Sequence, residues 1–157
     1  MAPERTPLAR EEPRLDALAA LMEKMQAHHR VPCPSRAEIV AGLRARPAGA
    51  EILVVSEGTA VLGFAAWSAA YPGPGLRPGA FLKELYVAKA ARGHGLGRRL
   101  MAARAAEARA RGLARIDWTA DPETPALLAF YDRLGAARRP EKLFYRLDGA
   151  MLEQLAE

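Results

Sequence analysis

The chain has 157 residues, half of them hydrophobic, and a formal net charge of +5 at pH 7. A chain of this length suits one domain that buries roughly 70% of its unfolded surface, so we expect a single domain over residues 1–157. No apolar run approaches the ~20 residues that span a bilayer, and the first residues form no secretory segment, which favours a cytoplasmic protein without a membrane partner.

The histidines and the single cysteine do not indicate a metal site. His28, His29 and Cys33 lack the ligand spacing of a structural zinc motif, so no metal is expected. One cysteine also excludes an intrachain disulfide.

The positive charge is spread along helical segments. Arg104, Arg109 and Arg111 alternate with Glu107, a pattern that predicts a solvated helix face. Nucleic-acid binding is therefore not expected. Part of the positive charge is instead available to attract an anionic cofactor.

The first half of the chain predicts two helices and three strands. A short strand ends at Leu8, and apolar residues then recur at helical spacing. Ser35 and Glu38 form a capping box that starts a second helix, which runs to about Arg46. Residues 52–55 and 60–67 are apolar and β-prone and form a hairpin. The apolar positions of the first helix are Leu15, Leu18, Ala19, Met22 and Met25.

The second half begins with a Pro/Gly-rich loop over residues 71–79, which leads into a fourth strand at 81–87. Two further helices are predicted, over residues 95–111 and 124–134, and Gly135 ends the second of them. Strands are predicted between these helices and near the C-terminus, at residues 115–119 and 142–147. Asp148 then caps a tail helix that carries Met151, Leu152 and Leu155.

The most informative feature is the turn Arg-Gly-His-Gly-Leu-Gly at residues 92–97, which joins the fourth strand to a helix. Glycines let the backbone approach an anion, and the first amides of a helix are unsatisfied donors at the positive end of its dipole. The turn therefore predicts a pyrophosphate site. It is not a P-loop, because Gly97 is followed by Arg98 instead of Lys-Ser/Thr, and the glycine spacing does not fit a Rossmann fingerprint.

Two motifs resemble those of a known family. Residues 92–97 form the pattern Arg-x-x-Gly-x-Gly after a strand ending in Leu-Tyr-Val, and residues 124–136 form a helix that carries Phe-Tyr and closes on Gly-Ala. In this order and spacing they resemble the GNAT (GCN5-related N-acetyltransferase) family. From Phe81 onward the chain is most similar to the diamine (spermidine/spermine) acetyltransferase branch, including residues 143–148.

The resemblance implies an α/β fold with a mixed, mostly antiparallel sheet of six to seven strands, splayed between strands four and five and flanked by about four helices. It also implies acetyl-CoA as co-substrate, with the pantetheine arm on the backbone of the fourth strand and the pyrophosphate on the glycine turn. The implied coenzyme-binding residues are Leu85, Tyr86, Val87, Arg92, Gly93, His94, Gly95, Leu96, Gly97, Arg98, Thr124 and Phe130.

Two residues are the candidate catalytic groups. Tyr131 is protonated at neutral pH and is predicted to supply a proton to the departing thiolate; the alternative is packing beside Phe130. Glu84 is predicted to take the proton of the acceptor amine, directly or through water; the alternative is an ion pair with Lys83 or an arginine. Period-two alternation predicts that Lys83 and Glu84 face opposite sides of the strand.

Two positions depart from the family pattern. Lys83 stands where the diamine branch has an acid, which argues against a polycationic acceptor. Thr124 stands where the wider family often has Asn, although Thr can still cap the helix.

The predicted reaction is acetyl transfer from acetyl-CoA to a primary amine of a small molecule, polyamine-like or amino-acid-like, in a ternary complex. Two alternatives remain open: acetylation of a protein or peptide, and a CoA-binding sensor without turnover. Exposed strand edges and a C-terminal strand favour a homodimer.

Overall fold

A computed structural model describes residues 3–9 and 13–156 of the chain. Within these residues it contains five strands and five α-helices, together with short 3₁₀ turns at Pro74–Leu76 and Lys89–Ala91. In chain order the elements are β1 (Glu4–Pro7), α1 (Leu15–His29), α2 (Arg36–Ala45), β2 (Ala50–Glu57), β3 (Ala60–Ala70), β4 (Gly79–Val87), α3 (Leu96–Ala110), β5 (Ile116–Asp117), α4 (Pro125–Arg133) and α5 (Gly149–Leu155).

The five strands form one mixed sheet in the order β1-β2-β3-β4-β5. The first four strands pair antiparallel, and β4 pairs parallel with β5. The α/β class and the mostly antiparallel sheet are thus as predicted. The described residues hold five strands, whereas six to seven were predicted. They hold five α-helices, which are the four predicted from the flanking pattern and the predicted tail helix.

Two predicted strands differ from the structure, and the absence of the second lowers the strand count. The fifth strand was predicted over residues 115–119, but only Ile116 and Asp117 pair with β4. The strand predicted at residues 142–147 is wrong, because these residues carry no strand and none of the backbone hydrogen bonds between described residues involves 143–147. β-propensity alone does not make a strand when no neighbour supplies the ladder.

The core lies between α1 and one face of the sheet. Leu18 of α1, Val54 of β2 and Phe64 of β3 are fully buried in one apolar cluster. The predicted capping box of α2 is present: the Ser35 amide donates to Glu38 Oε2 over 2.8 Å, and the Glu38 amide donates to Ser35 Oγ over 3.3 Å. The Ser35 hydroxyl also donates to Glu38 Oε2, at 2.6 Å, and this bond together with that from the Ser35 amide holds the pKa of Glu38 below its usual value.

The prediction that Arg104 lies on a solvated face of α3 is wrong. The Arg104 side chain is buried, with 2% of its surface exposed, and its guanidinium carbon lies 4.4 Å from the centre of the Trp67 ring. Arg104 Nη2 donates to the backbone carbonyls of Glu51 in β2 and Ala65 in β3, at 3.0 and 2.9 Å, and Nη1 donates to Glu107. Arg104 therefore fastens the middle of α3 to two neighbouring strands.

A second arginine closes this network at the surface. Arg111 Nη1 donates to both carboxylate oxygens of Glu51 at 2.9 Å and to Glu107 Oε1 at 3.0 Å. Partial burial raises the pKa of Glu51, but the hydrogen bond and charge of Arg111 outweigh it and hold that pKa below its usual value. Burial acts in the opposite sense on Arg104 and lowers its pKa, while the Glu107 carboxylate opposes that effect.

The chain divides into two compact units, one ending at Thr119 and the other beginning at Ala120. The first contains the sheet with α1, α2 and α3, and the second contains α4 and α5. No helix in the described part of the chain is both long and apolar enough to cross a bilayer.

Candidate active site

β4 has one edge that is mostly without a strand partner. On that side β5 pairs only with Ala80 and Phe81, so within the described residues no strand pairs with 82–87 there. We call residues 82–87 the free edge of β4. The sheet therefore opens between strands four and five.

The register of β4 on β3 decides which backbone groups point to the free edge. The amide of Ala88 donates to the carbonyl of Leu62 over 2.8 Å. Because backbone groups alternate in direction along an antiparallel strand, Tyr86 and Glu84 also point their backbone groups toward β3, whereas Leu85 and Val87 point theirs to the free edge. Of the three backbone positions predicted from sequence, two therefore face the opening, and Tyr86 does not.

The glycine turn follows immediately. Gly93 and Gly95 have φ angles of +82° and +73°, which favour glycine, and Gly95 is the N-cap of α3. No side chain caps this helix, and its first turn contains no acidic residue. The first carbonyl that accepts a helical hydrogen bond is that of Gly95, which accepts from the Arg99 amide at 3.0 Å. The amides of Leu96, Gly97 and Arg98 therefore have no acceptor within the helix.

The space in front of the turn is open. A methyl group added at Gly93 or Gly95 would meet no atom within 4 Å. Arginines in the first turn of a helix oppose its dipole, so their presence here raises the local positive potential without a compensating acid. An uncapped helix start, two left-handed glycines and this charge suit a diphosphate group.

Two side chains of the turn fold back on the protein. Arg92 Nε donates to the carbonyl of Val87 at 3.0 Å, and its guanidinium carbon lies 5.4 Å from the centre of the Tyr86 ring. Arg92 thereby fixes the turn to the end of β4. His94 Nδ1 lies 2.9 Å from the Arg92 carbonyl oxygen, which further orders the turn.

Glu84 lies on the α1 face of the sheet, beside a β-bulge. Ala66 of β3 pairs with Glu84, whereas its neighbour Trp67 pairs with Leu82, so Lys83 is an extra residue without a cross-strand partner. The bulge interrupts the period-two alternation on which the prediction of opposite faces for Lys83 and Glu84 rested. Lys83 Nζ lies 3.3 Å from Glu84 Oε1, and the Glu84 side chain is 35% exposed. The ion pair considered from sequence is therefore present.

Tyr86 lies on the same face of the sheet as Glu84. Its ring lies near that of His28, which was weighed from the sequence only as a metal ligand. The ring centre of His28, at the end of α1, lies 6.2 Å from that of Tyr86 and 5.3 Å from that of His29. Nothing in the sequence indicated this contact, because it joins two elements far apart in the chain. Cys33 is exposed, and the described residues contain no group of three or more His, Cys, Asp or Glu that could hold a metal ion.

The remaining predicted site residues lie in the second unit, on α4. Thr124 occupies the N-cap position but makes no capping hydrogen bond, which corrects the prediction; its hydroxyl lies 3.3 Å from Asp121 Oδ2. The rings of Phe130 and Tyr131 are 5.2 Å apart and tilted by 57°. Arg138 holds Asp132 through two hydrogen bonds, of 3.1 and 2.7 Å, which keep the pKa of that carboxyl below its usual value.

The chain matches the model of the acetyltransferase (GNAT) family over residues 15–136. This match crosses the boundary between the two units and contains every predicted site residue. No curated protein matches the chain closely enough to count as a relative.

Solved structures with the same fold include an integron cassette protein, VCH_CASS6, from the mobile metagenome of V. cholerae. It is 29% identical, with a TM-score of 0.89 over 100% of this chain and 99% of that chain. An aminoglycoside acetyltransferase from an uncultured soil metagenomic sample, in complex with sisomicin, is 17% identical, with a TM-score of 0.74 over 93% and 97%. A ribosomal-protein-alanine N-acetyltransferase from Brucella melitensis biovar Abortus 2308 is 19% identical, with a TM-score of 0.73 over 92% and 99%.

Proposed function

The chain belongs to the acetyltransferase (GNAT) family, and on that premise we propose that it moves an acetyl group from acetyl-CoA to a primary amine of a small molecule by direct attack in a ternary complex. That it is an acetyl-CoA-dependent N-acetyltransferase follows from the family. The acceptor class, the ternary complex and the roles of individual residues are the substance of the proposal.

The observation that carries the proposal is the continuity between the free edge of β4 and the uncapped start of α3. The amides of Leu85 and Val87 point to this edge. The amides of Leu96, Gly97 and Arg98 lie at the start of α3, directly after the glycine turn. A pantetheine arm can pair with an open strand edge in the way that an extended peptide does, while a diphosphate accepts from helix amides. One molecule with both parts fits this run of donors.

Acetyl-CoA, when bound, supplies an activated acetyl thioester and a thiolate leaving group. Glu84 is assigned as the base that deprotonates the acceptor amine. Its carboxylate faces the α1 side of the sheet beside the bulge, where it can take a proton from the incoming ammonium. Lys83 competes for that carboxylate at 3.3 Å. Entry of a cationic amine replaces the lysine as the partner of Glu84, which limits the favoured acceptor to one with few positive charges.

Tyr131 is assigned the role of general acid. Its phenol donates a proton from Oη to the thiolate, a role that requires a protonated group at neutral pH. Thr124 and Phe130 are assigned to the coenzyme site on the strength of the family motif at residues 124–136.

The acceptor is assigned as polyamine-like, in line with the likeness to the diamine branch, or amino-acid-like. Within these classes Lys83 favours molecules that carry one or two positive charges. The named activities of structural neighbours include both an aminoglycoside acetyltransferase and a ribosomal-protein acetyltransferase, so a peptide acceptor is the second candidate. The third is a CoA-binding sensor without turnover.

The same proposal covers the assembly. We assign one acetyltransferase domain to residues 1–157, supported by the family match that crosses the boundary at Thr119 and Ala120. We also assign a homodimer and a cytoplasmic location, without metal or nucleic-acid partners.

A thiol-release assay tests the function. The protein is incubated with acetyl-CoA and a panel of mono-, di- and polyamines, amino acids and short peptides, and acetyl-CoA alone measures background hydrolysis. The proposal predicts release that depends on a small amine and is greater for mono- or diamines than for polyamines. Release with peptides only would favour the second candidate, and coenzyme binding without release would favour the sensor.

A further inference from the structure

The C-terminal part of the second unit exposes an unusual amount of apolar surface. Of the ten large hydrophobic side chains that are exposed among the described residues, seven lie between residues 143 and 155. Leu143 is 76% exposed and Tyr145 83%. Exposed apolar side chains at this density mark an interaction surface more often than a surface left in water.

Residues 143–147 also have a backbone that is free to pair, whereas the Lys142 amide donates to the Arg139 carbonyl and the Asp148 carbonyl accepts from the Leu152 amide. They carry no helix, strand or turn, and none of the backbone hydrogen bonds between described residues involves 143–147. The segment contains the β-prone residues Phe144 and Tyr145 and no Pro or Gly, so nothing in it prevents a ladder. A partner strand would satisfy these groups.

The order of side chains in the segment identifies the partner. Residues 142–148 read Lys-Leu-Phe-Tyr-Arg-Leu-Asp, which is complementary to itself when reversed. Centred on Tyr145, an antiparallel pair places Lys142 opposite Asp148, Leu143 opposite Leu147, and Phe144 opposite Arg146.

These pairs are favourable ones. Opposite charges and apolar pairs that face each other across two strands stabilise the pairing, and an arginine over an aromatic ring adds to it. Within one chain the guanidinium carbon of Arg146 already lies 5.5 Å from the Phe144 ring centre. Self-complementarity is the property that a two-fold symmetric interface requires, because each copy presents the same patch.

We infer that residues 142–148 pair antiparallel, centred on Tyr145, with the same segment of a second copy of this chain. This inference rests on the proposed homodimer and names its interface. A two-stranded ribbon alone is marginal in water, so the apolar side chains of α5, Met151, Leu152 and Leu155, are covered in the same contact. The strand that the sequence predicted at 142–147 then forms only in the dimer.

Charge reversal tests the register. K142D places like charges opposite each other at both ends of the ribbon, and so does D148K, whereas the double variant K142D/D148K restores two attractive pairs with the net charge unchanged. The Asp148 side chain makes no capping hydrogen bond to α5, so its replacement removes no cap. Circular dichroism checks that all four proteins keep their helix content.

Sedimentation equilibrium over a range of concentrations gives the dimer dissociation constant. We expect each single variant to weaken the dimer about tenfold or more, because the pair occurs twice about the two-fold axis, and the double variant to return to within about threefold of the original. If the protein without substitutions is a monomer, this inference and the proposed homodimer are both overturned. A dimer that the single variants leave unchanged, or that the double variant fails to restore, would overturn this interface alone. Amine-dependent thiol release in the same samples reports the catalytic proposal separately.

Discussion

Replacement of Arg104 by methionine tests how α3 is held over the sheet. The methionine keeps most of the apolar stem, so the change removes the guanidinium and creates little cavity. It leaves the carbonyls of Glu51 and Ala65 without the donors that now lie at 3.0 and 2.9 Å, and it removes the stacking on Trp67.

Loss of the buried hydrogen bond to the Ala65 carbonyl costs about 1–3 kcal/mol, and loss of the part-buried bond to the Glu51 carbonyl costs about 1 kcal/mol. The cation–π contact contributes about 1 kcal/mol. Methionine also avoids the cost of burying the positive charge of Arg104, and this offsets part of the loss in stability. We therefore expect R104M to lower the free energy of unfolding by about 3 kcal/mol, a large part of the ~5–15 kcal/mol of a typical domain.

Urea unfolding followed by circular dichroism measures this loss, which corresponds to a fall of about 1.5 M in the midpoint at an m-value of about 2 kcal/mol/M. The matched control is R109A, an exposed arginine on the same helix, which should change stability by less than about 0.5 kcal/mol. A loss below about 1 kcal/mol for R104M would refute the reasoning, because the buried hydrogen bonds would then contribute little.

Three further predictions concern the turn and the catalytic groups. Y131F should lower kcat about 100-fold or more, because a general acid contributes roughly 10²–10⁴ in rate, while the acetyl-CoA dissociation constant from calorimetry stays within about twofold; unchanged turnover would remove the assignment. E84Q should also lower kcat by at least about tenfold without weakening coenzyme binding, and a normal rate would leave Glu84 as the partner of Lys83 only. G95A should destabilise the protein by about 1–2 kcal/mol and weaken acetyl-CoA binding, because the φ of +73° is unfavourable for alanine even though the space is open; G42A, in the interior of α2 with space around it and no positive φ, should instead be neutral or stabilising.

Features that depend on local sequence were predicted well. The turn at residues 92–97 lies between a strand and a helix as expected, because glycines with positive φ and an uncapped helix start are properties of a few consecutive residues. The Ser35–Glu38 capping box was found for the same reason.

Features that depend on pairing between distant residues were missed. The bulge at Lys83 follows from the register of β4 on β3, which no pattern within β4 reveals, and it brings Lys83 to Glu84. Arg104 is buried because it stacks on Trp67 and donates to carbonyls of β2 and β3. Helical periodicity treats every arginine as polar and therefore predicts an exposed side chain. The strand predicted at 142–147 has the right composition but lacks a neighbour among the described residues.

A crystal structure of the protein with acetyl-CoA bound tests the central claim most directly. We expect the diphosphate on the amides of residues 93–98 and the pantetheine arm along the free edge of β4, with hydrogen bonds to the backbone groups of Leu85 and Val87. A coenzyme bound elsewhere on the protein, or a β4 whose residues 82–87 are paired with another strand, would contradict it.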